Sequence, residues 1–387
     1  MTEWKKLLRP ASVIPALAML LVLSLHLCGS MYSGETAFRD ARIETYAFLE
    51  TQSDPLEWAL LYRDELDAQL EETQEQIMWS DDVDTTRSLL SEYEELQKQK
   101  GRFANTLGGD YLCLNAAIRS MQHINGLEQS WEAEIQTMKH AAKRLNDTAL
   151  AKESLYLEHS YQGLRLPEFG NYEPADSWIT WNGSYGCLVM LAVCFFVSFA
   201  FPLEKKSGMQ ALLQAIAVHP RHIVRRKAAY AVLFAVIIVT LLFAMNLMLT
   251  WYMAGDLWAL SQPVQAVSCM QYSGLNLSIG QMLLVQYGLY SASSVLITGF
   301  TLLISSAFRE AWIAFSVSAG VVAIPNVFAF ILNCPQKYLL SGWIGAEQWL
   351  RLSPVYVCLF AFCAVAVGLL LTKLACRRFG GVRDVEA

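Results

Sequence analysis

A chain that carried out bond chemistry would need a nucleophile, an acid–base pair or a metal cradle at workable spacing. This sequence has no G-x-x-x-x-G-K-[ST] loop to hold phosphates and no H-E-x-x-H zinc pair. Glu158-His159 stands without a second histidine at ligand spacing, and there is no Ser-x-x-Lys pair or nucleophile elbow. His26 lies in an apolar run, close to its outer end, where a neutral, hydrogen-bonded imidazole is tolerable; the structural role is favoured over a functional one. His123 and His140 fall in a charged helical region and read as surface residues. The nine cysteines are scattered rather than spaced as ligands. Cys187, Cys194, Cys358, Cys363 and Cys376 sit in or beside apolar runs, where a thiol packs as a small hydrophobe. Whether Cys269 and Cys334 pair is left open. The expectation is a chain with no catalytic residues, no metal site and no bound cofactor.

The residues that do stand out suit mechanical work. Met209, Leu212, Leu213 and Ile216 follow i, i+3, i+4, i+7, with Gln210 and Gln214 opposite. That spacing predicts a short amphipathic helix lying on a membrane face. His219-Pro220 ends it, and the basic run from Arg221 to Lys227 leads into an apolar stretch. Two readings follow: an interfacial helix that anchors a loop, or a rigid lever gripped by another protein. The spacing alone leaves both open.

Six apolar runs must position this segment: about 11–30, 184–201, 228–253, 282–308, 311–332 and 354–374. Each is long enough to cross a bilayer. The first resembles a signal peptide, but its run is long and Cys28-Gly-Ser-Met offers no clean cleavage site, so an uncleaved anchor is expected. Pro325 predicts a kink in the fifth run. Charge is sorted against these runs. Of 35 acidic and 29 basic residues, 28 acids and 13 bases lie between 33 and 181, leaving 7 acids and 16 bases elsewhere. With the amino terminus inside, 14 of those 16 bases fall on the cytoplasmic face, and only Lys337 and Arg351 fall outside. The positive-inside rule therefore puts both termini in the cytoplasm and the acidic region outside. No basic patch with interleaved aromatics marks the soluble part, so no nucleic-acid partner is expected.

The acidic region reads as a helical bundle. Ser53-Asp54-Pro55 is a helix start, with a capping side chain followed by proline. Leu60, Leu61, Leu66, Leu70 and Ile77 form an irregular stripe; Leu89, Leu90, Tyr93 and Leu96 form a second, ending near Gly108-Gly109. A third long helix is expected through Ile118, Met121, Ile124, Trp131, Ile135, Met138 and Leu145. Beyond Asn146 the pattern fades, and Pro167, Gly170 and Pro174 predict an irregular return to the membrane. The external stretch 254–280 is nearly uncharged and reads as a short re-entrant or interfacial piece.

The pattern Glu204, Gly208, Leu212-Leu213, Pro220-Arg221 and Lys227 resembles the cytoplasmic coupling segment of type-2 ABC exporter permeases. The six-span topology, the large insertion between the first two spans and the external Asp256…Pro263…Leu275-Asn-Leu-Ser-Ile-Gly280 stretch agree with it. The sequence departs from that pattern at His219 and at Met209, where threonine is frequent. The resemblance covers about 180–380 and hardly touches the acidic insertion. It implies a non-catalytic subunit that couples a separate cytoplasmic ATPase, which would hold the ATP and magnesium, to export of an unidentified and preferably amphiphilic substrate. A second permease, identical or related, would face it in the bilayer. Glu204 and Gly208 would set the interfacial helix, Pro220 and Arg221 would form the turn presented to the ATPase, and Lys227 would snorkel to fix the depth of the next helix. Asn246, Gln286 and Asn326 could line a substrate path or serve as interhelical glue, with glue favoured.

The expected architecture is thus an all-α integral membrane protein of six transmembrane helices. Residues 1–31 would form the cytoplasmic start and first span, 32–182 the extracytoplasmic helical domain, and 183–387 a five-helix membrane domain with the coupling segment at 203–227. A bacterial plasma membrane suits this layout. The rival reading is a membrane-anchored sensor or envelope scaffold whose outer helical domain is the working part.

Overall fold

The computed structural model describes residues 39–79, 83–103, 112–208, 220–331 and 354–379. The first expected span, the amphipathic stretch 209–219 with Leu212 and Leu213, and Cys334 lie outside the described residues. The described residues are mostly helical, and none forms a strand; an isolated antiparallel bridge joins Pro263 and Ser278. Two compact units emerge. One comprises Tyr32–Ser177 with Leu249–Gly280; the other includes Trp178–Met248 and Gln281–Ala387.

The first unit begins with α1 (Arg39–Leu49), α2 (Pro55–Trp79) and α3 (Val83–Phe103). α2 starts where the sequence predicts: the Asp54 carboxylate accepts a hydrogen bond from Glu57 N at 3.0 Å. Leu66 and Leu70 of its stripe are buried, while Leu61 is exposed. The expected third long helix is two helices, α4 (Leu112–Asn125) and α5 (Leu127–Leu145), broken at Gly126. Buried Tyr46, Leu49, Ala59, Leu66, Leu114, Ile118 and Met121 make one core; Leu127, Trp131, Ile135, Leu157 and Tyr161 make another.

Two helices in this unit depart from the sequence reading. α1 is one. Its buried Arg42 reaches Glu173 at 3.1 Å, tying it to the far end of the insertion. The other is α6 (Thr148–Tyr161), beyond the point where the periodicity fades. Its signal is in the junction rather than the stripe. Asn146 closes α5 in the left-handed conformation, with φ 51°, and Asp147 caps α6 by accepting from Ala149 N and Leu150 N. α5 and α6 pack together, with Lys139 and Glu158 paired at 2.8 Å and the Trp131 and Tyr161 rings stacked at 5.0 Å.

The stretch 249–280 belongs to this same unit, although the sequence reading counts it with the membrane domain. It folds as three 3₁₀ turns, Trp258–Ser261, Val264–Ala266 and Ser268–Met270. Its backbone carbonyls serve the helices. Trp131 Nε1 donates to Gln271 O at 2.6 Å, Tyr161 OH donates to Tyr272 O at 2.8 Å, and His123 Nε2 lies 3.1 Å from Gln265 O. Gln265, fully buried, donates to Ser273 O and Leu275 O and so holds the loop's own shape. A nearly uncharged loop carries many backbone polar groups that need partners, and helix side chains provide them. The stretch read as re-entrant or interfacial is docked on the helical bundle.

The second unit takes in the later helices, apart from the first turn of α7 and the last residues of α9, which belong to the first unit. α7 (Glu173–Ser198) starts eleven residues before the expected span, with Pro174 in its first turn rather than in an irregular return. Then follow α8 (Pro202–Lys206), α9 (Pro220–Ala254), α10 (Ile279–Ser305), α11 (Ala311–Ile331) and α12 (Pro354–Phe379). Among the described residues three helices, His222–Ala254, Ile279–Ser305 and Val357–Phe379, are long and apolar enough to cross a membrane; Ala311–Ile324 is shorter and apolar. Their outward faces are hydrophobic. Leu233, Ile237 and Leu241 recur at four-residue steps on α9, as do Ile313, Val317 and Val321 on α11, all exposed. A face of that kind suits lipid rather than water. Inside, Phe196 stacks on Phe234 at 3.6 Å, and Phe243 meets Tyr287 and Tyr290 edge-on. α10 and α12 pack closely at Gly299 and Gly368: a Cβ on Gly299 would lie 2.2 Å from Gly368 O. Two glycines let the backbones touch, the usual device where apolar burial gives helices no reason to associate.

Candidate functional site

The segment that the sequence singles out begins just after α7. Phe201 is fully buried, and its ring stacks on Phe379 at the end of α12 with centroids 4.4 Å apart. Pro202 then opens α8, fitting the first helical turn, where a missing N–H costs nothing. This short helix points its side chains three ways. Glu204 turns inward and meets Lys227 of α9 at 2.8 Å, with side-chain exposures of 9% and 6%. Lys205 donates to Ser306 O just past α10. Lys206 pairs with Glu310, in the tight turn before α11, at 3.1 Å. α8 is thus fastened to α9 and to the turn between α10 and α11 through three consecutive charged residues.

The Glu204–Lys227 contact corrects one expectation. Lys227 does not reach outward along an interface. Its ammonium ends on a buried carboxylate and lies 5.9 Å from the Phe201 ring. Two opposite charges removed from water are tolerable only because they meet; alone, either would carry its full desolvation cost. Lys205 sits among cations. Burial, then the nearby Arg378 and Arg309, pull its pKa below the usual lysine value.

Gly208 follows α8 with φ +69° and an exposed surface, and nothing lies within 4 Å of where its Cβ would be. Its role is backbone conformation, not a close fit: the left-handed turn ends α8 and redirects the chain toward 209. Pro220 is the first residue of α9 and opens the long helix, and Arg221 follows in the same first turn. Leu212 and Leu213 lie outside the described residues.

No family model matches the chain, and no curated protein or solved structure is significantly similar to it. The reading of the site rests on its own residues.

Of the path candidates, Asn246 and Gln286 are both buried, on α9 and α10. The Asn246 amide makes no hydrogen bond among the described residues. Interhelical bonds among the described residues include Thr240 Oγ1 with Tyr287 OH at 2.9 Å and Thr301 Oγ1 donating to Cys194 Sγ at 3.5 Å. Asn326 lies on α11. No group of three histidine, cysteine, aspartate or glutamate residues placed to hold a metal occurs among the described residues. The fastening roles of Lys205, Lys206 and Glu310 were not read from the sequence. Lys205-Lys206 was visible only as a basic cluster, because its partners lie about a hundred residues downstream.

Proposed function

We propose that the chain is the permease subunit of an ATP-driven exporter of the type-2 ABC class, without catalytic activity of its own. It would cross a bacterial plasma membrane six times, with both termini in the cytoplasm. It would receive motion from a separate ATPase that binds ATP and magnesium, and would pair with a second permease around a path for an amphiphilic substrate. The observation that carries the reading is the buried Glu204–Lys227 pair. It joins the two ends of the 204–227 segment, so a displacement of that segment by a partner would be delivered to the first turns of α9. A loop that served only as an anchor has no need of a buried charge pair at its base.

Arg221→Glu tests the reading. If Arg221 docks on an acidic groove of the ATPase, reversal places like charges together and weakens association in a salt-dependent way. The expected result is loss of the co-purifying ATPase at unchanged membrane yield. Full retention of the ATPase and of transport in this variant would leave the segment as an anchor. The sensor or scaffold reading, which the well-packed helical unit with its own two cores also suits, would then be preferred.

A further inference from the structure

A groove of about 920 Å³ runs between α9 and α12. The two helices meet at its basic end, where Cys376 Sγ lies 3.9 Å from Val224 O. Beyond that contact the walls are apolar, with Val232, Leu233 and Val236 on α9 and Leu369 on α12. The rim is cationic: Arg225 on one helix and Lys373, Arg377 and Arg378 on the other. All four are exposed, and none forms an ion pair among the described residues. Each helix presents one face to the groove. Arg225, Val232 and Val236 recur at helical spacing, as do Leu369, Lys373 and Arg377.

We infer that this groove is a binding site for an anionic phospholipid, whose phosphate sits among Arg225, Lys373 and Arg377 while an acyl chain lies along the α9–α12 wall. Length agrees with this occupant. From Arg225 to Val236 is eleven residues, about 16 Å of helix. Half the hydrocarbon thickness of a bilayer is about 15 Å. Charge agrees as well: a zwitterionic headgroup leaves this cluster of four cations uncompensated, whereas an anionic one neutralises part of it. An acidic protein segment would satisfy the rim but would leave the apolar wall uncovered. The inference rests on the helices crossing a membrane and not on the permease reading.

The test uses the full chain purified in a neutral detergent, with a fluorescent dioleoyl-phosphatidylglycerol as probe. Unlabelled phosphatidylglycerol, phosphatidylcholine of the same chains and inorganic phosphate compete. Phosphatidylglycerol is expected to displace the probe at about tenfold lower concentration than phosphatidylcholine, with inorganic phosphate ineffective. The triple variant Arg225→Gln, Lys373→Gln, Arg377→Gln should erase that preference, since exposed charges can be neutralised with little cost to folding. Ala229→Trp, which fills the apolar part, should weaken both lipids equally. Arg309→Gln, outside the groove, should leave the preference intact. Equal displacement by the two lipids, displacement by phosphate alone, or an unchanged preference in the triple variant would each overturn the assignment. Loss of ATPase co-purification in the triple variant with its lipid preference intact would also overturn it and give these cations to a protein partner. Failure of the permease reading would show separately, in Arg221→Glu retaining both ATPase and transport.

Discussion

Removing one member of the Glu204–Lys227 pair strands the other charge in a buried site. Glu204→Ala and Lys227→Ala should each cost about 3–5 kcal/mol, read as a lower midpoint of thermal unfolding in detergent and a lower membrane yield. The double variant Glu204→Leu, Lys227→Met should recover most of that loss, because no charge is left unpaired. Additive losses in the double variant would mean that the two side chains do not interact. If the pair transmits motion, the double variant should fold yet transport poorly. Gly208→Val tests the neighbouring residue. A β-branched residue in the left-handed region costs about 1–2 kcal/mol, but no neighbour obstructs it. Its effect should therefore appear as altered chain direction, read as weaker ATPase co-purification, more than as unfolding. Glu204, Gly208 and Lys227 were legible in the sequence as members of a pattern. That Lys227 finds Glu204 was not, because a pair 23 residues apart has no periodic signature and Lys227 at the mouth of an apolar run looks like a snorkelling residue.

At the scale of elements, the α10–α12 crossing depends on two glycines whose backbones touch. Gly299→Leu must push the helices apart and should cost about 1–3 kcal/mol or prevent assembly, whereas Gly288→Ala on the same helix, with nothing within 4 Å, should be silent by the same unfolding measurement. In the helical unit, Trp131→Phe keeps the packed ring but strands Gln271 O. The expected loss is about 1 kcal/mol in the denaturation midpoint. Helices with strong stripes or caps were legible: α2 through Asp54-Pro55, and the apolar helices through length and hydropathy. α6 was not read, because its apolar residues are sparse and its evidence lies in two residues, Asn146 and Asp147, that end one helix and start the next. α1 was missed because its burial rests on tertiary partners, among them Glu173 for Arg42 and Phe169 for the Tyr46 ring. The loop 249–280 gave no local sign of its destination, since what holds it is its own carbonyls meeting distant side chains.

Across the whole molecule, charge distribution carries more than any motif. The acidic excess sits between 33 and 181, and the bases gather where the apolar helices end. On the proposed topology, that asymmetry would set which side each part occupies. Because 249–280 forms one compact unit with the helices before Ser177, the proposed topology requires both to lie on the same side, a constraint independent of the charge count. Impermeant thiol labelling of intact cells can separate the two sides. In a background cleared of accessible native thiols, Glu94→Cys on α3 and Asp256→Cys in the loop should both react from outside. Arg226→Cys, at the basic start of α9, should react only after the membrane is opened. All three positions are exposed, so a silent site reports the membrane barrier rather than burial. Reaction of Arg226→Cys from outside would invert the topology and remove the coupling segment from the reach of a cytoplasmic ATPase. Reaction of Glu94→Cys without Asp256→Cys would instead break the loop from the bundle. The chain can act as a transmitter only if the labelling pattern holds, because the buried pair at the base of 204–227 has to face the compartment where ATP is hydrolysed.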